Sequence, residues 1–575
     1  MQFQISSKKL YKPFSNDLNN PNIKFFIKKI LADDKNFFAT AIVYGIAIAI
    51  LSLATPISVQ LLINSVAFTA MLQPIIILGL LLFFLLSFSA ILNILQFYVS
   101  EIFQRKFFAK MSADITIATV SARHENFEES NQTEFVNRFF DVITIQKTLP
   151  KILIKSFTLI LQTIAGLLLV AFYHPILLIF SLLIIISIIL IWRGFCKKGF
   201  VTKFYSSRRK YDMAGWLEDV ARNNILFKSE IGQKYAIFKT DFLTEQYLKE
   251  RKEHFSQLFM QFSLMLTLYA VASSLLLIIG GYLVINGQLS IGQLVASELI
   301  LSTTLYGISE LGRDFENFYD IVGACEKLSQ FYNIPQENIG LEKIEDHKID
   351  IKFNNVVDLY FGREFKFNFS LKHHKNYIIS THNLSSQKIL IELLYCLRTP
   401  VRGTLEFNNI DMENINISQL RSKIALIDNG TFLEGNIEEY LTFNNKLINK
   451  KQINEVLQIT GLDQALNRFN EGLNLRIIPT GYPLSESEKI LLKIARALLQ
   501  EPQIIIITEV LDMLGLKTRQ NILKFLTKNH NSTVIYFSNR RDDMLDFDEY
   551  IFIDEKHTHN FKSIEDLDKF EKKNG

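Results

Sequence analysis

Six apolar blocks, near 37–65, 74–103, 150–173, 175–196, 258–286 and 289–312, constrain this 575-residue chain more than any other feature. Each is long enough for a helix across a hydrocarbon core, which takes about 20 residues. Backbone groups in lipid must bond one another, so the blocks dictate a bundle of spanning helices. The first block begins after 36 residues and is too long for the apolar region of a cleaved signal peptide. Composition agrees: the chain is 49% hydrophobic with a mean hydropathy of +0.16, its apolar residues concentrated in the first 310 positions. A net charge of only +4 supplies no basic field for nucleic acid. Cys196, Cys325 and Cys396 match no metal or disulfide spacing, and reduced thiols are expected.

Orientation follows from the loops. The leader, 1–36, carries Lys8, Lys9, Lys12, Lys24, Lys28, Lys29 and Lys35 against Asp17, Asp33 and Asp34, which places it in the cytoplasm by the positive-inside rule. The connections VAFTAMLQ, YHP and NGQ then lie outside and are minimal. The other two, 104–149 and 197–257, are charged and rich in helix formers, so the spanning helices should continue through them into the cytoplasm. With six spans the C-terminus is cytoplasmic as well. Gln60, Asn64, Asn93 and Gln96 are expected to hydrogen-bond between helices. Glu298, a carboxylate within the sixth span, is either a functional-site candidate or a partner for a neighbouring helix.

Residues 313–345 read as an amphipathic helix, DFENFYDIVGACEKLSQFYN, followed by a polar linker. From 346 to 575, β-rich runs (IDIKFNNV, NYIIS, KIALI, IIIIT, TVIYFS, EYIFI) alternate with helical segments, predicting an α/β domain with a mostly parallel, helix-covered sheet. Its first βα turn, ISTHNLSSQKIL, has the strand, loop and helix of a phosphate-binding P-loop but no glycine.

Two longer phrases, GTLEFNNIDMENINISQLRSKIALI (403–427) and LLKIARALLQEPQIIIITEV (491–510), are similar to the nucleotide-binding domain of ABC transporters. Over 20–560 the whole chain resembles an ABC exporter half-transporter. Such a chain joins a membrane all-α, six-helix type I transmembrane domain, here 37–312, to an α/β P-loop-type ATPase domain. LSLATPISVQLLIN and GQLSIGQLVASELILS most resemble exporters of type I secretion systems and of bacteriocins. The resemblance implies a multi-pass protein of the bacterial inner membrane with ATP and Mg²⁺ as cofactors. It also implies a dimer with a second half-transporter, a periplasmic adaptor, and coupling helices within 124–138 and 213–227.

The resemblance also assigns site positions. In G-x-x-x-x-G-K-[ST], glycines let backbone N–H groups close around phosphates, lysine neutralises them and the hydroxyl holds Mg²⁺. Here those positions read Thr381, Ser386, Gln387 and Lys388, with Asn383 and Ser385 between. Sliding by one residue offers Lys388 as the lysine but turns Ile389 toward the metal, since each residue rotates about 100° around a helix. Tyr360 matches the aromatic that stacks on adenine. Thr508 stands where the Walker B aspartate would hold the Mg²⁺ shell, and Glu509 occupies the general-base position. Asp428 or Asn429 replaces the loop glutamine, and Asn539 the switch histidine.

The signature reads LSESEK, with Leu484, Ser485, Glu486, Ser487 and Glu488 in place of LSGGQ. A carboxylate about 4 Å from a γ-phosphate charge is repelled by roughly 4 kcal/mol at an effective dielectric near 20. The same glutamates suit the N-terminus of the following helix. The losses fall on positions that touch nucleotide, while apolar faces are intact apart from Pro56 and Glu298. The expectation is therefore a folded pseudo-ATPase subunit with weak or absent Mg-ATP binding, paired with a competent half-transporter to export a peptide, protein or other substrate. The alternatives are an active homodimeric ATP-driven exporter and a non-transporting membrane scaffold.

Overall fold

The computed structural model describes residues 34–68, 72–129, 139–332, 334–344, 348–381, 383–529, 531–540 and 547–574. The leader lysines other than Lys35, and positions 130–138 of the first coupling-helix candidate, lie outside them. The chain divides into two units, one of Met1–Ala122 with Asn126–Pro335, the other of Gln336–Gly575 with Arg123–Glu125.

The first unit is all helix. Its members are α1 (Lys35–Leu51), α2 (Ala54–Phe68), α3 (Leu72–Val120), α4 (Phe140–Lys151), α5 (Phe157–Tyr173), α6 (Pro175–Arg222), α7 (Glu230–Ile285) and α8 (Ile291–Tyr332). Among the described residues, five stretches are long and apolar enough to cross a membrane: Lys35–Val66, Leu72–Val120, Phe140–Tyr173, Pro175–Arg222 and Glu230–Ile285. The sixth expected span falls within the continuous helix α8. At a rise of about 1.5 Å per residue, the 49 residues of α3 extend about 74 Å. That is more than twice a hydrocarbon core, so the charged inner segments do prolong the spanning helices. Outward side chains such as Phe83, Phe97 and Ile278 are exposed, as a lipid-facing surface requires.

Local chemistry explains the interruptions. Pro56 sits in the first turn of α2, just past a break at Ser52–Leu53, where its missing N–H costs no helical bond. Pro150 lies inside α4 and is followed by a wide π-turn at Ile152–Ser156 that absorbs the lost bond. Between α5 and α6 there is one residue, His174, whose Nδ1 accepts from the Ile176 N–H at 3.2 Å, with Pro175 at the first helical position. Of the expected interhelical amides, Gln60 accepts from the Tyr173 hydroxyl at 2.5 Å and Gln96 donates to the Ala41 carbonyl at 3.4 Å. Asn93 instead bonds Ser89 on its own helix at 2.8 Å. Asn64 packs at Gly292, where an added Cβ would lie 2.5 Å from its Oδ1. Glu298 takes the Ser302 hydroxyl of its own helix at 3.2 Å, not a neighbouring helix.

The second unit contains two main sheets. A six-stranded sheet has the order β12-β11-β3-β10-β9-β6, built from β3 (Asn376–Thr381), β6 (Ile424–Ile427), β9 (Ile504–Ile507), β10 (Thr533–Phe537), β11 (Glu549–Ile553) and β12 (Thr558–Phe561). All its pairings are parallel except β11 with β12. Helices α9 (Leu384–Leu394), α10 (Ile417–Ser422), α11 (Ile437–Thr442), α12 (Lys450–Thr460, followed by a single turn at Leu462–Leu466), α13 (Glu486–Leu499), α14 (Leu516–Asn529) and α15 (Ile564–Asn574) belong to the unit. Strands covered on both faces read as continuous apolar runs, and every residue of Ile504–Ile507 is buried.

The expectation of one mostly parallel sheet is corrected for IDIKFNNV. It belongs to β1 (Ile351–Tyr360), which pairs antiparallel with β2 (Arg363–Leu371) and β4 (Arg402–Phe407) in a separate four-stranded sheet ending in β5 (Ile410–Asp411). Strict alternation in REFKFNFSL turns Phe365, Phe367, Phe369 and Leu371 inward. Gly403, at φ +81°, passes so close to the β1 bulge that a Cβ would lie 2.3 Å from the Asn355 carbonyl oxygen.

Candidate functional site

Parallel strands put their carboxyl ends on one edge, where open α/β sheets bind ligands. That edge gathers Thr381 at the end of β3, Asn539 just after β10, Thr508 and Glu509 after β9, and Asp428 and Asn429 after β6. Two of them touch. The Asn539 amide accepts from the Thr381 N–H at 3.2 Å and donates to the Thr381 carbonyl at 3.1 Å, tying the switch position to the phosphate-loop strand.

The loop after β3 is short because α9 begins at Leu384 with Asn383 as its N-cap. Asn383 Oδ1 accepts from the Ser385 N–H at 2.8 Å, and its carbonyl accepts from Ser386 at 3.0 Å and Gln387 at 3.4 Å. Three donors that a phosphate would need are thus already bonded within the chain. The Asn383 amide in turn donates to Glu555 at 3.0 Å. Ser386 and Gln387 are buried, and no described group bonds the Ser386 hydroxyl.

Lys388 turns to Tyr360: its ammonium donates to the Tyr360 hydroxyl at 3.1 Å and lies 5.1 Å from the ring centroid, with Glu392 3.7 Å away. The Arg398 guanidinium lies 5.6 Å from the same ring and pairs with Glu392 at 2.9 Å and Asp358 at 3.6 Å. Burial holds the Asp358 carboxyl above its ordinary range despite the Leu359 N–H and Arg398. Two cations therefore sit beside the aromatic expected to stack on adenine.

At the position expected to hold the magnesium shell, the Thr508 hydroxyl donates to the Ile427 carbonyl at 3.2 Å, and its N–H donates to the same oxygen at 3.0 Å. Glu509 opens a 3₁₀ turn, Glu509–Met513; partial burial raises its carboxyl, with the Asp512 charge adding. Asp428 and Gly430, on either side of Asn429, are held by a residue that the motifs do not include. Lys493 of α13 donates to the Asp428 carbonyl at 2.7 Å and to the Gly430 carbonyl, and its ammonium is 3.8 Å from Asp428 Oδ1. Burial lowers the Lys493 amine, against the attraction of Asp428. Its one sequence signal is a cation within the otherwise apolar stretch ILLKIA.

The signature residues stand apart from this edge. Ser485 caps α13 eight residues before Lys493, about 12 Å along the helix. Ser485 and Glu488 form a capping box, the Ser485 N–H donating to Glu488 at 2.8 Å and the Glu488 N–H to the Ser485 hydroxyl at 3.4 Å. Glu488 also pairs with Arg468, and Glu486 with Lys489 at 2.8 Å. Leu484 is buried, whereas Ser485, Glu486 and Ser487 are exposed.

Residues 366–511 match the family model described as ABC transporter. A solved bacterial Atm1-family ABC exporter with ATP bound superposes with a TM-score of 0.83 at 15% identity, covering 93% of this chain and 97% of that one. This chain has the fold of an ABC exporter half-transporter. The chain is similar to a putative export ATP-binding/permease protein of Rickettsia conorii, 27% identical over 306 residues, which are 51% of this chain and 53% of the relative. It is also similar to an alpha-hemolysin translocation ATP-binding protein of Escherichia coli O157:H7, 26% identical over 268 residues, 45% and 38% of the two chains. The chain spans about half the length of the curated relatives it matches. ATP and Mg²⁺ are the ligands of the family whose model it matches.

Proposed function

We propose that the chain is a degenerate subunit of an exporter in the bacterial inner membrane, with both termini cytoplasmic. In this reading it pairs with a competent half-transporter and supplies part of the path for a peptide, protein or other substrate. One observation carries the reading: the backbone donors of Ser385, Ser386 and Gln387 are all taken by Asn383, so that among the described residues of the loop these three are not open to a triphosphate. The remaining chemistry agrees with it. Gln387 supplies no cation, Lys388 is engaged at Tyr360, and the Thr508 hydroxyl is turned to Ile427, so these residues do not fit magnesium-bound ATP. Glu509 without a metal shell does little, because phosphoryl transfer depends on positioning and charge neutralisation. The capping box and the pairs of Glu486 and Glu488 give the altered signature a structural role. The printed names of the relatives agree with export.

Purification of the full chain from its native membrane, with calorimetry in Mg-ATP, tests the proposal. A second half-transporter with intact motifs should co-purify, while the chain alone shows weak or absent Mg-ATP binding and only background hydrolysis. Tight binding with turnover by the chain alone would replace the proposal with an active homodimeric exporter. Loss of both partner and nucleotide binding would leave the scaffold reading.

A further inference from the structure

The helical unit carries charge that its own packing does not absorb. Helix α6 begins at Pro175, directly after the one-residue connection at His174, and holds no Asp or Glu before Asp212. Positions 175–191 contain no charged side chain, and Trp192, Arg193, Lys197 and Lys198 then follow within about two turns. Farther along, Lys203 finds Glu316 and Asp320, and Arg209 finds Asp212. Arg193, Lys197 and Lys198 find no such partner. All three are exposed, and among the described residues none of them makes an ion pair or a hydrogen bond.

Depth and face say what these cations meet. At a rise of about 1.5 Å per residue, Arg193 lies about 27 Å and Lys198 about 35 Å along α6 from Pro175, against a hydrocarbon core of about 30 Å. They therefore stand among the lipid headgroups on the side away from His174, with the exposed Trp192 where an interfacial indole settles. Arg193 and Lys197 also continue a stripe. Positions 179, 183, 186, 190, 193 and 197 recur at intervals of three and four, so they share one face of the helix, and Ile179, Leu183, Ile186 and Leu190 are all exposed. Acyl chains that cover those four side chains end at the two cations.

We infer that the end of this stripe is a docking surface for an anionic phospholipid, its phosphate held by Arg193 and Lys197 with Lys198 beside them and its chains laid along Ile186 and Leu190. Charge complementarity selects the occupant: a zwitterionic headgroup brings a cation of its own to the same place, and an anionic one does not. A basic side chain near an anionic bilayer surface contributes about fivefold in binding, so three without carboxylate partners carry a marked preference. The inference rests on the membrane-spanning helices and stands apart from the reading of the nucleotide edge.

Reconstitution of the full chain with brominated lipids tests the inference, because bromine on an acyl chain quenches only indoles close to it. The chain has two tryptophans, and Trp216 lies about 62 Å along α6 from Pro175, twice the depth of a hydrocarbon core, so the quenching reports on Trp192. Brominated phosphatidylglycerol should be preferred over brominated phosphatidylcholine at Trp192 by about tenfold or more, and the preference should shrink as salt rises. The combined variant Arg193→Gln, Lys197→Gln and Lys198→Gln should still be quenched by brominated phosphatidylcholine, showing that the helix remains in the bilayer, but should lose the preference. Lys446→Gln, Lys450→Gln and Lys451→Gln together remove the same charge from exposed positions of the second unit and should leave the preference intact. Equal quenching by the two lipids in the unaltered chain, or a preference that the first variant retains, would overturn the inference. A retained preference with loss of a co-purifying half-transporter would assign the face to a protein partner instead.

Discussion

Asn383 closes a helix end with a side chain and a carbonyl where glycines would leave donors to a ligand. Asn383→Ala should therefore lower the chemical stability of the chain by about 1 kcal/mol, the usual value of an N-cap, as read from urea unfolding. A second residue sets an acid limit. Burial would raise the Asp350 carboxyl, but the His373 N–H and the Lys372 ammonium outweigh it and hold the group at about 2, below the ordinary 3.8 of an aspartate. A carboxyl depressed on folding stabilises above its unfolded value, and that stabilisation is lost as pH falls through the folded one. The unfolding midpoint should drop between pH ~4 and ~2, and Asp350→Asn should flatten that limb; an unchanged profile would remove Asp350 from the acid response. Local chemistry of this kind was readable in sequence: S-x-x-E at Ser485 and Glu488 announces a helix start from four neighbouring residues. Lys493 was not, because its acceptors are backbone carbonyls 65 and 63 positions away.

Helix α9 begins at Leu384, ahead of the positions expected to carry the phosphate-loop lysine and hydroxyl, and this element decides what repair requires. Restoring side chains alone, as Thr381→Gly, Ser386→Gly, Gln387→Lys, Lys388→Ser and Thr508→Asp, leaves the Asn383 cap in place and should give no gain in Mg-ATP affinity by calorimetry. Adding Asn383→Gly and Leu384→Gly unwinds that turn, and affinity should then rise by about tenfold or more as charge-assisted N–H contacts become available. A gain from the first five alone would show that the engaged donors are not the obstacle. Sequence periodicity found the parallel strands, since the unbroken IIII reports two covered faces, but it passed over REFKFNFSL, whose alternation reports one. It could not sort them into sheets. The pattern of IDIKFNNV suits either sheet, and its partners, Leu371 and Phe407 opposite Ile351, are fixed by packing across the unit.

At the scale of the molecule, hydropathy carried most of the architecture, because lipid leaves the backbone few choices and long helices follow. The chemistry of the nucleotide edge was harder to read, since absent glycines and lysine say what is missing and not what has replaced it. If both termini are cytoplasmic, as proposed, a reporter fused after Gly575 that works only in the cytoplasm should be active, and one that works only outside should be silent. The reverse pattern would overturn the orientation. One joint limits how the helical unit can rearrange. Tyr173 and Pro175 are separated by His174 alone, and the proline fixes one backbone angle while the histidine ring pins the next amide. A connection with so little slack transmits torque, so a tilt of α5 is handed to α6 like motion between welded rods. Compliance in this bundle has to reside elsewhere, at the Ser52–Leu53 break and the wide turn of Ile152–Ser156, where the helical ladder is already interrupted.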